Sequence, residues 1–345
     1  MTHAQPTATT ASTSGTRTTV LVTGAGGPAG VSIVRSLLAV PGVTVLASDM
    51  DAYASGLYLV PAGQRHLVRP GLAPDFVDHL LALCRATGVD VLFPTVDVEL
   101  VPVARRRDEF AAIGVAVASP SLDTLEHTLD KYLLAQRCAG SEVPVPRTEL
   151  LGVAYDWDYP VIVKPRSGSG SRGVHLVEDE TALRALGTDE RQIVQENLPG
   201  EEYSVDVIAD LDGRVLAAVP RSRLRVDSGV AVAGRTVKDA ELERTATAVA
   251  EQVGLTTVAN VQLRRRADGT AALLEVNPRF PGAMPLTIAA GVDMPRLCLD
   301  MVLGVPLPET LTFRELANVR YLEDVFLDPA DILPDLVPDV VPGPA

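Results

Sequence analysis

Apolar and polar positions follow two different rhythms along this chain. In the first third, short β-branched runs alternate with stretches of helical spacing. Thr18–Thr23 (TTVLVT) reads as a strand, GAGGPAG as a glycine turn, and Val31–Val40 as a helix. Val43–Ala47 predicts a second strand ending at Ser48-Asp49. Ala73–Ala86 predicts a helix with Phe76, Leu80, Leu83 and Cys84 on one face. A strand at Val89–Phe93, a helix from about Val98 to Phe110 and a strand at Val115–Ala118 complete the series. Alternating strands and helices predict a doubly wound parallel, Rossmann-like sheet across residues 18–120.

After Ser121 the rhythm changes. Two short helices, Ser121–His127 and Asp130–Cys138, lead to an extended linker at Pro144 and Pro146. Strands are then expected at Pro160–Lys164, Gln192–Glu196, Tyr203–Ala209 and Val215–Val219, the last pair turning at Asp212-Gly213. An amphipathic helix spans Ala240–Val253. A hairpin of Thr257–Arg265 and Thr270–Val276 turns at Asp268-Gly269. This half predicts α+β structure with antiparallel sheets. Residues 1–17 and the proline-rich end read as tails.

Composition narrows the class. Apolar residues make up 47% and charged residues 21% of 345, as in a soluble globular protein. A net charge of −14 argues against a general nucleic-acid partner, because phosphate neutralisation needs excess Lys and Arg. No apolar run reaches the roughly 18–20 residues of a membrane span. Cys84, Cys138 and Cys298 form no CxxC pair and read as reduced, buried thiols. A cytoplasmic location is the expectation.

Two glycine loops are candidates for anion binding. The first has Gly24, Gly26 and Gly30 opening a helix, with Asp49 placed where a ribose-binding acid stands in a dinucleotide fold. That leaves an NAD-dependent oxidoreductase or epimerase open. Any tight strand-to-helix turn also needs glycine, and the chain has no Tyr-x-x-x-Lys. The second loop, Ser167–Gly173 (SGSGSRG), follows the apolar strand PVIVKP, which delivers Lys164. A cation at the end of such a strand is costly unless it meets an anion. Ser167, Gly168, Ser169, Gly170, Ser171, Arg172 and Gly173 offer backbone donors and charge for phosphate oxygens.

Further motifs keep a fixed order around this loop. Asp130-Lys131 opens a helix. In QENLPGEEYSVD, Glu196 and Leu198 stand at a strand end and Glu202 at the start of the next strand, a place for an adenine edge and ribose hydroxyls. In LEVNPR, Glu275 and Asn277 lie two apart on a strand and share a face. A carboxylate and an amide oxygen so placed suit Mg²⁺, with Gln262 opposite on the preceding strand. Arg279 is placed to hold a transferring phosphoryl group. Arg221, Arg223 and Arg225 alternate, so a regular strand would turn all three to one face. They then either clamp a substrate carboxylate or acyl phosphate, or are satisfied by nearby carboxylates.

The stretches VIVKP, GSGSRGV, QENLPGEEYSVDV, NVQL and LLEVNPRFPG resemble the ATP-grasp superfamily, in its carbamoyl-phosphate-synthase-like and carboxylate–amine ligase branch. The resemblance covers about residues 18–305. It implies a pre-ATP-grasp domain over 18–120, an ATP-grasp domain over 121–310 with a small lobe near 145–200, and a C-terminal extension over 311–345. It implies that Lys131 and Lys164 contact ATP phosphates, that Ser167–Gly173 is a mobile flap, that Glu196 and Leu198 flank adenine, and that Glu202 binds ribose. Gln262, Glu275 and Asn277 would hold Mg²⁺ or Mn²⁺. Many members carry an acid where Gln262 stands. Arg279, Lys164, Arg223 and Arg225 would serve the chemistry. The expected reaction activates a small-molecule carboxylate, such as an amino acid, as an acyl phosphate and joins it to an amine. A homodimer is compatible with the family. A catalytically silent ATP-binding protein is the remaining alternative.

Overall fold

The computed structural model describes residues 17–168, 170, 172–227, 230–309 and 311–334. The tail expected over 1–17, apart from Arg17, lies outside them, as do Ser169, Ser171 and the last eleven residues.

The first rhythm becomes a parallel sheet. Strands β1 (Thr18–Val22), β2 (Val43–Asp49), β3 (Arg65–Leu67), β4 (Val91–Phe93) and β5 (Ala116–Val117) lie in the order β3-β2-β1-β4-β5. β1 pairs in parallel with both β2 and β4, so strand order reverses between β1 and β4. Helix α1 (Pro28–Leu38) covers one face; α2 (Phe76–Thr87), α3 (Asp97–Arg105) and α4 (Arg107–Ala112) follow. One expected helix near 98–110 is thus two, parted at Arg106, where φ −113 and ψ 21 depart from helical values. Gly88 ends α2 in the left-handed conformation that a helix stop requires.

Helices α5 (Leu122–Thr128) and α6 (Lys131–Cys138) carry the chain onward. The Asp130 carboxylate caps α6 through the amides of Tyr132 and Leu133, so the Asp-Lys dipeptide fixes where Lys131 begins its helix. A small antiparallel sheet follows, in the order β6-β9-β7-β8, from β6 (Thr148–Leu151), β7 (Val161–Pro165), β8 (His175–Val177) and β9 (Asp189–Glu196), with α7 (Glu180–Ala185) inserted. A larger antiparallel sheet contains β10 (Glu202–Ala209), β11 (Val215–Asp227), β12 (Val230–Thr236), β13 (Thr257–Arg265), β14 (Ala271–Asn277) and β15 (Ala317–Val319). Its order is β14-β13-β10-β11-β12-β15. Helix α8 (Ala240–Gln252) packs on one face; α9 (Pro285–Ala290) and α10 (Met294–Val302) close the fold. The sequence pattern missed β3, β6, β8, β12 and β15, which are short or interrupted by glycine.

The parallel sheet and the large antiparallel sheet share a core. Ile33 and Leu37 of α1 join Ile208, Val219, Val258, Met284, Cys298 and Leu299 in one buried cluster. Phe93 at the end of β4 meets Phe280 with ring centroids 5.6 Å apart. This seam holds the ends of β1 and β4 against the β13–β14 hairpin. The three cysteines are buried and free, and burial pushes their thiols up, Cys298 to about 12. Among the described residues no helix is long and apolar enough to cross a membrane.

Candidate active site

Two adjoining cavities occupy the junction of the three sheets. The smaller, about 170 Å³, is lined by Lys131, Lys164, Ser167, Gly168, Gly170, Arg172, Glu196, Leu198, Glu202, Gln262 and Glu275. The larger, about 420 Å³, lies between the parallel sheet and the hairpin, with Arg279, Asn277, Thr95, Asp97 and Glu99 in its wall. Gln262, Glu275, Arg223 and Gly170 line both. Residues spread over more than 140 positions of sequence thus converge.

β7 ends on Lys164, which is only 5% exposed. Burial pushes its ammonium down to about 8, with Glu275 opposing the shift and Lys131 adding to it. The Lys131 ammonium donates to the Gly168 carbonyl at 2.9 Å and lies 3.4 Å from a Glu275 oxygen. It therefore ties α6, the glycine loop and β14 together. On the hairpin, Gln262 stands opposite Glu275 and Asn260 opposite Asn277. The Asn277 amide donates to Glu275 at 3.3 Å.

This donor set bears on a metal. One carboxylate flanked by two amide side chains is a hard-oxygen set, but no group of three acids, histidines or cysteines assembles among the described residues. It suits Mg²⁺, which takes one or two carboxylates and completes its shell with phosphate oxygens and water.

Several expected residues are already engaged. Arg279 donates to Asp97 at 2.6 Å, an ion pair across 182 residues that joins the hairpin to the first residue of α3. The Glu196 carboxylate accepts from Arg266 at 2.9 Å and from the Arg147 amide at 3.1 Å, while the residue lines the small cavity. Glu202 is paired with Arg223. Leu198 is buried on the cavity wall, and Arg172 and Gly173 are exposed.

The arginine row does not keep one face. Arg221 is 3% exposed and makes two bonds, at 2.8 and 2.6 Å, to Asp206, which also accepts from Asn260 and Thr287. This buried pair links β10, β11, β13 and α9; removing one partner would cost about 3–5 kcal/mol. Arg223 reaches both cavities. The register of β11 on β12 then slips between Arg223 and Arg225, so Leu224 bulges and the alternation is lost. Arg225 is exposed and is not among the residues lining either cavity, contrary to the one-face expectation.

The first glycine loop is packed, not open. A Cβ on Gly24 would lie 2.5 Å from Val96, and one on Gly30 would lie 2.2 Å from the Gly24 carbonyl. Asp49 accepts from the Gly26 amide at 2.8 Å and the Asp51 amide at 3.1 Å. Glycine here serves strand–helix packing, and the NAD reading has no support.

The sequence reading missed Asp97 and Glu99. Glu99 is 5% exposed, accepts from the Thr23 hydroxyl at 2.6 Å and has its carboxyl pushed up to about 7 by burial. A signal existed: TVDVE follows β4, and open parallel sheets hold ligands beyond their carboxyl edge where strand order reverses.

This fold and site are of the kind an ATP-grasp domain has, and a family model of that domain matches part of the chain. Residues 188–325 match the family described as ATP-grasp in the biosynthetic pathway with Ter operon. In front of it, residues 20–118 match the family described as PylC-like, N-terminal domain. The arginine-specific carbamoyl phosphate synthase large chain of Eremothecium gossypii is 25% identical over 263 residues, 69% of this chain and 24% of that protein. D-alanine–D-alanine ligase of Pediococcus pentosaceus is 30% identical over 176 residues, 43% of this chain and 48% of that one. The chain thus spans about a quarter of the synthase and about half of the ligase. The biotin carboxylase–ATP-analogue complex of Campylobacter jejuni superposes with a TM-score of 0.70 at 18% identity, covering 86% of this chain and 73% of that one.

Proposed function

We propose that the chain is an ATP- and Mg²⁺-dependent ligase that activates a small-molecule carboxylate, such as an amino acid, as an acyl phosphate. It then joins that acid to an amine, releasing ADP and phosphate. The observation that carries this is the shared wall of the two cavities. Gln262 and Glu275 stand where a pocket with two lysines and a glycine loop opens into a second pocket ending on Arg279.

In this reading the small cavity takes the nucleotide. Lys131 and Lys164 hold phosphate oxygens, and the loop from Ser167 to Gly173 closes over them. Leu198 gives the base an apolar contact, and Glu202 accepts from ribose hydroxyls once Arg223 turns to the reacting anion. Gln262, Glu275 and Asn277 would hold Mg²⁺, which when bound offsets charge between β- and γ-phosphates. The substrate carboxylate enters from the larger cavity and attacks the γ-phosphorus. Arg279, oriented by Asp97, stabilises the oxygens that gain charge. The barrier is chiefly repulsion between anions, so positioning and fixed positive charge do most of the work. Arg225, exposed beyond the bulge, would act only after β11 and β12 close inward.

A phosphate-release screen over amino acids and amines tests this. ATP turnover that needs both an acid and an amine is expected. Turnover that needs neither, or reduction of NAD, would sink the proposal.

A further inference from the structure

The larger cavity has chemically opposed walls. Its hairpin side carries Arg279, Asn277 and Gln262, suited to the anion formed on the transferred phosphate. Its other side is built from the loops leaving β1 and β4, at the point where strand order reverses.

That second wall is acidic and apolar. Asp97 is occupied by Arg279, and Asp49 by the amides of Gly26 and Asp51. Arg69 also reaches this wall, with its Nε 3.2 Å from Asp75. Glu99 is different. It comes from the first turn of α3, is nearly fully buried, and is held by the Thr23 hydroxyl from the end of β1. A Cβ on Gly71 would lie 2.8 Å from the Glu99 Cγ, so the chain closes on the stem of this side chain and fixes its direction. Around it, Met50, Val96 and Val98 line the cavity, yet are 59%, 38% and 42% exposed. Exposed apolar side chains at the mouth of a pocket suit an apolar ligand surface.

We propose that this half of the cavity holds the incoming amine, a primary amine with an apolar body, and that Glu99 accepts the proton its nitrogen loses. The inference rests on the carboxylate–amine ligase reading above. The nitrogen lone pair attacks the acyl carbon and the C–N bond forms. The bond from that carbon to the phosphate oxygen breaks, and phosphate leaves with its electrons. The nitrogen's surplus proton goes to a Glu99 oxygen. Groups acting on Glu99 are the Thr23 hydroxyl just past β1, the backbone of Thr95 and Val96, and the Asp49 carboxylate at the end of β2. With its carboxyl raised to about 7, Glu99 is matched to proton transfer near neutrality.

The test separates activation from amine attack. Enzyme, Mg-ATP and each common amino acid are supplied either with hydroxylamine or with a second amino acid as amine. Hydroxylamine is neutral at pH 7 and traps acyl phosphate as hydroxamate without a base. Glu99→Gln should keep hydroxamate formation within about twofold, while amide formation falls about 10²–10⁴-fold. In the wild type the ratio of amide to hydroxamate, each divided by the unprotonated fraction of its nucleophile, should rise with pH through an apparent pKa near 7 and be flat in the variant. Equal loss of both products, or retention of both, overturns the assignment. No hydroxamate from the wild type with any acid overturns the ligase reading, and this assignment with it. If Glu99→Gln gives no cooperative melt, the wild-type pH profile decides alone: a flat ratio overturns the assignment.

Discussion

The chain has two glycine loops, each following a parallel or antiparallel strand, and they use glycine for opposite reasons. In the loop after β1, side-chain space is absent: a Cβ on Gly26 would sit 2.6 Å from Ala54, and one on Gly30 would strike the backbone. In the loop after β7, a Cβ on Gly168 or Gly170 would meet nothing within 4 Å, while both residues have positive φ, 121° and 72°. The first loop needs glycine chiefly for packing, with only Gly24 also at positive φ, 56°. The second needs it for backbone conformation in open space, next to a buried lysine. Glycine content alone therefore says little about phosphate binding; what surrounds the missing Cβ says more.

The sharpest break of this comparison is at Lys164. Lys164→Met should lower turnover about 10²–10³-fold, because a charge aimed at the transferring group is gone. Its melting temperature should hold or rise, since a buried cation is replaced by an apolar chain. A drop in both would show that Lys164 is structural. Gly30→Ala is the converse. Overpacking against the Gly24 carbonyl should cost about 1–3 kcal/mol in denaturant unfolding, with KM for ATP unchanged. A raised KM for ATP at unchanged stability would return nucleotide binding to the first loop.

A third expectation concerns pH. The Lys164 ammonium is pushed down to about 8 by burial, from the 10.5 of an ordinary lysine. Below about 8 both folded and unfolded chains carry the proton, and the folded state bears the full cost of burying it. Between about 8 and 10.5 only the unfolded chain keeps it, so this group's contribution to stability improves as pH rises. Triphosphate favours the charged form. ATP binding above pH 8 should therefore take up a proton, and affinity should fall by up to about tenfold per pH unit. Calorimetry in two buffers of different ionisation enthalpy reads that uptake; its absence at pH 9 would contradict the placement of Lys164 on phosphate. The smallest effect is at Gly170→Ala, where positive φ should cost about 1 kcal/mol and raise KM for ATP a few-fold, read by steady-state kinetics.

How legible was all this beforehand? Strand rhythm located Lys164, Glu275 and Asn277 on their strands, because alternation is a local property of the backbone. Pairing of Gln262 with Glu275 was not legible from the hairpin length, because the register shifts between Leu263 and Gln262. Failures came where a partner lay far away. Nothing near Arg279 in sequence announces Asp97, and nothing near Glu196 announces Arg266. The row Arg221, Arg223, Arg225 reads as regular, yet a bulge at Leu224 undoes it, and a bulge depends on how the neighbouring strand is registered.

By itself, the sequence determined the class of fold, the order of the motifs and the residue types available to bind phosphate and metal. Those depend on periodicity and spacing, which are set within a few residues. Tertiary structure alone decided which charges are free. Burying Asp206 forced Arg221 to serve it, and the packing of Phe93 on Phe280 set Asp97 beside Arg279. Partner choice for a charged side chain is a contest of desolvation against distance, and only the folded chain fixes the distances.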